Sequence, residues 1–169
     1  KAAIAQGFTH AIQIDADGQH DTNAVPEFLV ASKQHPDAMI LGQPIFDDSV
    51  PKNRLYGRKI TNFWIVINTL SDAITDGMCG FRLYPLAAVS QLISKTQIGQ
   101  GMNFDIDIVV RLYWQGVEAV NLPTAVHYPL DGVSHFKLWQ DNVLISKTHA
   151  RLFWGMLVRI PQLALRHWR

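Results

Sequence analysis

The sequence predicts an α/β fold with a largely parallel sheet. Short apolar runs such as "THAIQI" and "AMILGQ" are bounded by turn residues and read as strands. Longer stretches with apolar residues at helical spacing separate them. Strands and helices therefore alternate along the chain, the pattern of strands joined by helical crossovers. A length of 169 residues with 48% hydrophobic content suits one domain with a real core.

The elements follow in order. "KAAIAQG" reads as a helix closed by Gly7, and "THAIQI" as the first strand. "PEFLVASKQH" is a helix with Pro26 in its first turn, ended before Pro36. "AMILGQ" is a second buried strand, and "FDDSVPKN" a polar loop. Tyr56, Ile60, Phe63, Trp64 and Ile67 recur at helical spacing, which predicts an amphipathic helix over Arg54–Leu70. Arg54, Arg58 and Asn62 line another face of it. "TDGMCGFRLYP" leads through two glycines into a short strand, "LAAVSQLI" is a helix, and "NFDIDIVVRLYWQG" is a helix stopped at Gly116. "EAVNLPTAVHY" gives short strands broken by Pro123, and "PLDGVSHF" a loop. From Lys137 onward a helical tail is expected, interrupted near Pro161. The chain starts without Met inside a helical pattern, so it is expected to be a fragment.

Fifteen Lys and Arg stand against fourteen Asp and Glu, a net charge of +1. Such a balance argues against bulk nucleic-acid binding. The single Cys79 cannot form an internal disulfide, and with no His patterned beside it reads as a packing residue. No apolar run reaches the ~18 residues of a spanning helix.

The chemistry-bearing stretch is "AIQIDADGQHD", Ala11 to Asp21. Three carboxylates and Gln19 follow the end of an apolar run, and close carboxylates need a compensating cation. An EF-hand loop is excluded, because its Gly and Glu positions, counted from Asp15, hold His20 and Pro26. An aspartyl phosphatase, with Asp15 as nucleophile and Asp17 as general acid, is the alternative enzyme. A metal–diphosphate site is the third chemistry. Asp17 and Gln19 offer hard oxygen ligands to Mg²⁺ or Mn²⁺, which keep positions open for phosphates. The bland reading is a polar turn capping the next helix.

"DADGQHD", "ITDGMCGFRLYP" and "NFDIDIVVRLYWQGVEAVNLPTAVHYPLDGVSHF" resemble, in order and spacing, the family-2 glycosyltransferases. The closest look is to the branch that transfers mannose or glucose to polyprenyl phosphate. The resemblance spans residues 1–136, which are then a partial GT-A domain, Rossmann-like and inverting, with 137–169 as a helical tail. It implies a nucleotide-sugar donor, a polyprenyl-phosphate or other lipid acceptor, and Mg²⁺ or Mn²⁺. Asp15 then faces the nucleoside or the metal, while Asp17 and Gln19 hold the metal. Asp76 and Arg82 match the family's "D…GFR" element, whose Arg is expected on phosphate. Arg54 and Arg58 lie where the branch carries a basic residue facing the acceptor phosphate. Asp107, with Asp105 nearby, matches the late-helix acid, and Ser134 the serine of a loop after the last strand. The family's opening strand, with its Pro-x-Tyr-Asn-like motif, is absent here, and "SHF" stands where the branch has "SKL". A sugar-binding domain without catalysis is the non-enzyme alternative.

Other residues have plainer readings. Arg82 with Asp76 makes a structural ion pair, and Asp107 with Arg111 a helical i, i+4 pair. His10, His20, His127, His135 and His149 have no metal-like spacing and read as surface or loop residues. Tyr113, Trp64 and Trp114 read as core. After Asp141 there is no acid, while Lys147, Arg151, Arg159, Arg166 and Arg169 accompany Phe153, Trp154 and Trp168. The tail is expected to lie in a membrane interface with its arginines on anionic headgroups, peripheral on the inner face of the cytoplasmic membrane.

Overall fold

In the computed structural model, which describes residues 1–47, 50–127 and 137–166, four strands and seven α-helices alternate. In chain order they are α1 (Ala2–Ala5), β1 (His10–Gln13), α2 (Val25–Gln34), β2 (Met39–Phe46), α3 (Lys52–Thr69), β3 (Arg82–Pro85), α4 (Leu86–Lys95), α5 (Phe104–Trp114), β4 (Ala119–Val126), α6 (Leu138–Leu157) and α7 (Ile160–Arg166).

The strands form one sheet in the order β1-β3-β2-β4. β2 and β4 pair in parallel from Met39 opposite Ala119 to Phe46 opposite Val126. β3 lies antiparallel to both neighbours, with Gln13 and Leu41 each opposite Arg82. The sheet is therefore mixed, and two of its three pairings are antiparallel, unlike the largely parallel sheet expected. The reason lies between α3 and β3. Asp76 bonds back to Arg58 and Asn62 of α3, so residues 71–79 return along that helix before β3 begins. β3 thus enters the sheet at the end where β1 finishes. A four-residue apolar strand carries no sign of its direction in sequence.

Side-chain alternation divides the core between the two faces of the sheet. Ile40 and Leu83 meet Phe28 of α2 on one face, where Phe28 and Phe81 stack at 4.2 Å. Met39, Leu41 and Tyr84 meet α5 on the other, with Ile65, Ile145, Leu152, Met156 and Leu163. α6 and α7 thus contribute Ile145, Leu152, Met156 and Leu163 to the main core.

Two expectations change at the level of elements. "EAVNLPTAVHY" makes one strand, β4, rather than strands broken by Pro123. β4 is an edge strand, so the missing N–H of Pro123 removes no ladder bond on its open side. Most of the apolar stripe of α3 does not face the core, although Ile67 packs against it. Tyr56, Ile60 and Phe63 are 65%, 62% and 62% exposed, and Thr61, Ile65, Asn68 and Thr69 are buried instead. Gly116 ends α5 as expected, with φ +95°, a conformation costly for any side chain.

Candidate active site

β1, β2 and β4 all finish toward one edge of the sheet, where open α/β sheets take their ligands. A cleft of about 760 Å³ opens there. It gathers Asp15, Asp17 and Gln19 from the loop after β1, Arg54 and Arg58 from α3, and Asp105 from α5.

The acidic loop is tied down at several points. The Asp17 carboxylate accepts the Gln19 N–H at 3.1 Å, and the Gln19 carbonyl accepts from the His127 N–H at 3.0 Å. His20 bridges to Val126, which fastens the loop across the end of β4. The Asp15 carboxyl lies against Gly80. A Cβ on Gly80 would fall 2.0–2.3 Å from the carboxyl atoms, so any side chain there would displace the Asp15 carboxyl. Partial burial, with the Asp105 charge beside it, raises the Asp15 pKa above the usual carboxylate value.

On α3, Arg58 donates to Asp76 at 2.5 Å, and its guanidinium lies over the Phe46 ring. Asp76 also accepts the Met78 and Cys79 N–H groups at 2.9 and 2.7 Å. It is buried behind the cleft wall, where it fixes Arg58 and the 76–79 turn rather than lining the cleft. Burial also raises the Cys79 thiol to about 11, which keeps it protonated and inert.

Arg82 lies beneath the floor with 0% exposure. Its partners are the Cys79 carbonyl at 2.5 Å, the Asp105 carbonyl at 2.7 Å and the Tyr84 hydroxyl at 3.4 Å. It therefore braces the 79–82 turn and the start of α5, and its ion-pair partner is Asp105 at 3.4 Å rather than Asp76. Asp105 also accepts from Gln13 Nε2 at 2.9 Å, and Gln13 in turn accepts from the Tyr84 hydroxyl. Asp107 is placed differently. It is fully buried toward α6 and accepts from Arg111 at 2.6 Å, Arg151 at 2.7 Å and the Gly99 N–H at 2.9 Å. Ser134 lies outside the described residues.

Gln13, His20, Lys137, Gln140 and Asp141 also line the cleft, and sequence reasoning did not select them. Gln13 had a signal: it shares the strand face of Asp15, two residues on. His20 lies in the loop after β1, half-buried and edge-on to Phe81 at 5.7 Å. Lys137, Gln140 and Asp141 come from the first turn of a helix that reads, in sequence, as a tail.

Among the described residues, no three or more His, Cys, Asp or Glu side chains cluster as a metal cage. Asp15, Asp17 and Gln19 nonetheless fit a hard cation that fills its shell with water and substrate phosphate. One or two carboxylates suffice for such an ion. Burial first, and the neighbouring Asp105 charge second, raise the Asp15 pKa, and a cation there would offset both. No protein-family model matches the chain, and no curated protein is significantly similar to it.

Proposed function

We propose that the chain carries the catalytic face of a metal-dependent, inverting hexosyltransferase of the GT-A type. One observation carries the reading: Asp15, Asp17 and Gln19 line the same cleft as Arg54, Arg58 and Asp105. The order of motifs resembling family-2 glycosyltransferases supports it. The substrate is a nucleotide-diphosphate sugar, and the acceptor is a lipid phosphate or a hydroxyl at a membrane surface.

Each residue has a role in a single displacement at the sugar carbon. Asp17 and Gln19, with Asp15 beside them, would hold Mg²⁺ or Mn²⁺, which when bound neutralises the leaving diphosphate. Arg54 and Arg58 bind phosphate oxygens through charge-assisted hydrogen bonds. The Phe46 ring and Asp76 aim Arg58 beforehand. Asp105, oriented by Gln13, takes the proton of a hydroxyl acceptor. A phosphate acceptor is already an anion and needs no base.

The membrane side of the proposal rests on α3 and α6. No helix among the described residues is long and apolar enough to cross a membrane. Phe63, Trp64, Phe153 and Trp154 instead form a continuous aromatic band from α3 to α6. An exposed band of this kind suits an interface.

Binding of a panel of nucleotide sugars, with and without Mn²⁺, tests the reading. Mn²⁺-dependent binding and transfer are expected, and Asp17→Asn should weaken both by orders of magnitude. Activity untouched by chelator and by Asp17→Asn would overturn it. Release of phosphate from a simple phosphomonoester would favour an aspartyl phosphatase.

A further inference from the structure

Beneath the cleft, a series of hydrogen bonds runs in one sense. Gln13 of β1 lies opposite Arg82 of β3, and Tyr84 stands two residues on, on the same face of β3. The register thus brings three polar side chains together beside Asp105. Arg82 Nη1 donates to the Tyr84 hydroxyl at 3.4 Å, the hydroxyl donates to Gln13 Oε1 at 3.3 Å, and Gln13 Nε2 donates to Asp105 Oδ1 at 2.9 Å. The two ends set this sense, because a guanidinium has no acceptor and an ionised carboxylate no donor. Reversing the Gln13 amide would turn its carbonyl onto the carboxylate. Tyr84 is 5% exposed, and its ring packs in the main core. Packing alone asks only for a phenyl ring, so the part of the hydroxyl lies in the hydrogen bonds.

We propose that Tyr84 is a positioning residue for Asp105. Its hydroxyl holds the Gln13 amide with the NH2 toward the cleft carboxylate, which fixes Asp105 Oδ1 and leaves Oδ2 for an acceptor hydroxyl. The role rests on the reading of Asp105 as the base of the proposed transfer. In that step the acceptor oxygen bonds to the sugar carbon, and the bond to the diphosphate breaks with its electron pair on the diphosphate. The acceptor's proton goes to Asp105.

The test has two arms, both on the whole chain. In the first, ¹⁵N NMR follows the Gln13 side-chain amide. One Nε2 proton of the parent should lie downfield and exchange slowly, and Tyr84→Phe should move it toward the position of a free glutamine. In the second, donor cleavage is measured with Mn²⁺, a panel of UDP- and GDP-hexoses, and water as the acceptor. Tyr84→Phe should lower kcat about tenfold and leave the donor KM unchanged, since a displaced base costs rate and not donor binding. Gln13→Met should do the same. The double variant should lose no more than either alone, because both changes act through the Gln13–Asp105 bond. Tyr84→Phe keeps the ring, and Arg82 keeps the Cys79 and Asp105 carbonyls, so this variant should fold. If it does not, the parent decides: a Gln13 amide that exchanges as freely as in a peptide overturns the proposal. An unmoved amide signal in Tyr84→Phe, or additive losses in the double variant, would do so too. A parent that binds and cleaves no donor would sink the reading of the cleft, and the role of Tyr84 with it. An active parent whose kcat ignores Tyr84→Phe sinks that role alone.

Discussion

Asp105 and Asp107 stand two residues apart on α5 and are set to different tasks by what surrounds them. Asp105 reaches the cleft and is steered by Gln13 and Arg82. Asp107 is enclosed by two arginines and the Gly99 N–H, which joins α5 to α6 and to the loop carrying Gln100 and Met102 into the cleft. Removing its charge leaves two guanidinium groups without their shared partner. Loss of one member of a buried pair costs ~3–5 kcal/mol, reduced here because Arg151 is half exposed. Asp107→Asn is therefore expected to cost about 2 kcal/mol of stability or more in urea unfolding. Asp105→Asn leaves the fully buried Arg82 without its counter-charge, so it should lower the urea midpoint as well. If the acceptor is a hydroxyl, it should cut turnover by roughly 10²–10⁴. The reverse pattern, a stable Asp107→Asn without turnover, would return Asp107 to the role that its place in the motif implied. Sequence could not separate the two acids. Helical spacing says which residues share a face, but not which face a second helix will cover.

At the scale of elements, what sequence made legible was local. α2, α3 and α4 begin within a residue of Pro26, Pro51 and Pro85 and α5 ends before Gly116, because such signals act within a turn or two. The loop after β1 was readable for the same reason, since Asp15, Asp17 and Gln19 carry their chemistry in adjacent positions. What was not legible depends on partners distant in the chain. The direction of β3 follows from the Arg58–Asp76 pair, and the buried face of α3 follows from α6. His149 belongs to this second group. It reads as a surface or loop residue, yet the packing of α6 on α3 buries it beside Asn68. Burial without a charged partner lowers its pKa from 6.5 to about 4. The unfolded chain then binds more protons than the folded one between these values, so stability falls as pH drops from 6.5 toward 4. The loss amounts to about 3 kcal/mol at most. Urea unfolding of the parent chain and of His149→Gln across that window isolates it. The stability gap between the two should narrow by that amount as pH falls. Parallel curves would mean that the imidazole protonates as easily folded as unfolded.

At the scale of the whole molecule, the proposed membrane contact turns on which groups the surface would offer to lipid. The arginines of the C-terminal segment were expected on anionic headgroups, and the fold uses several of them internally. Arg166 caps the end of α5 through the carbonyls of Tyr113, Gly116 and Val117. Arg159 lies over the Trp114 ring and bonds the Gly155 carbonyl, while Arg151 holds Asp107. Lys52, Lys59 and Lys147 remain exposed. Each cation near an anionic surface is worth on the order of 1 kcal/mol before salt screens it. Burying an apolar side chain such as Phe63 is worth roughly 1.5–3 kcal/mol. The aromatic band therefore outweighs the charges. Deleting residues 151–169 would not test this, because Leu152, Met156 and Leu163 belong to the core. Exposed positions do so without that damage: Phe63 is 62% and Trp154 69% exposed. The parent chain is expected to bind anionic vesicles well and neutral ones severalfold less, with high salt removing only that difference. Phe63→Asp combined with Trp154→Asp should abolish binding to both in a sedimentation assay, while circular dichroism and the unfolding midpoint stay unchanged. If the double variant partitions like the parent, the band does not enter lipid, and a surface so apolar must then be covered by protein.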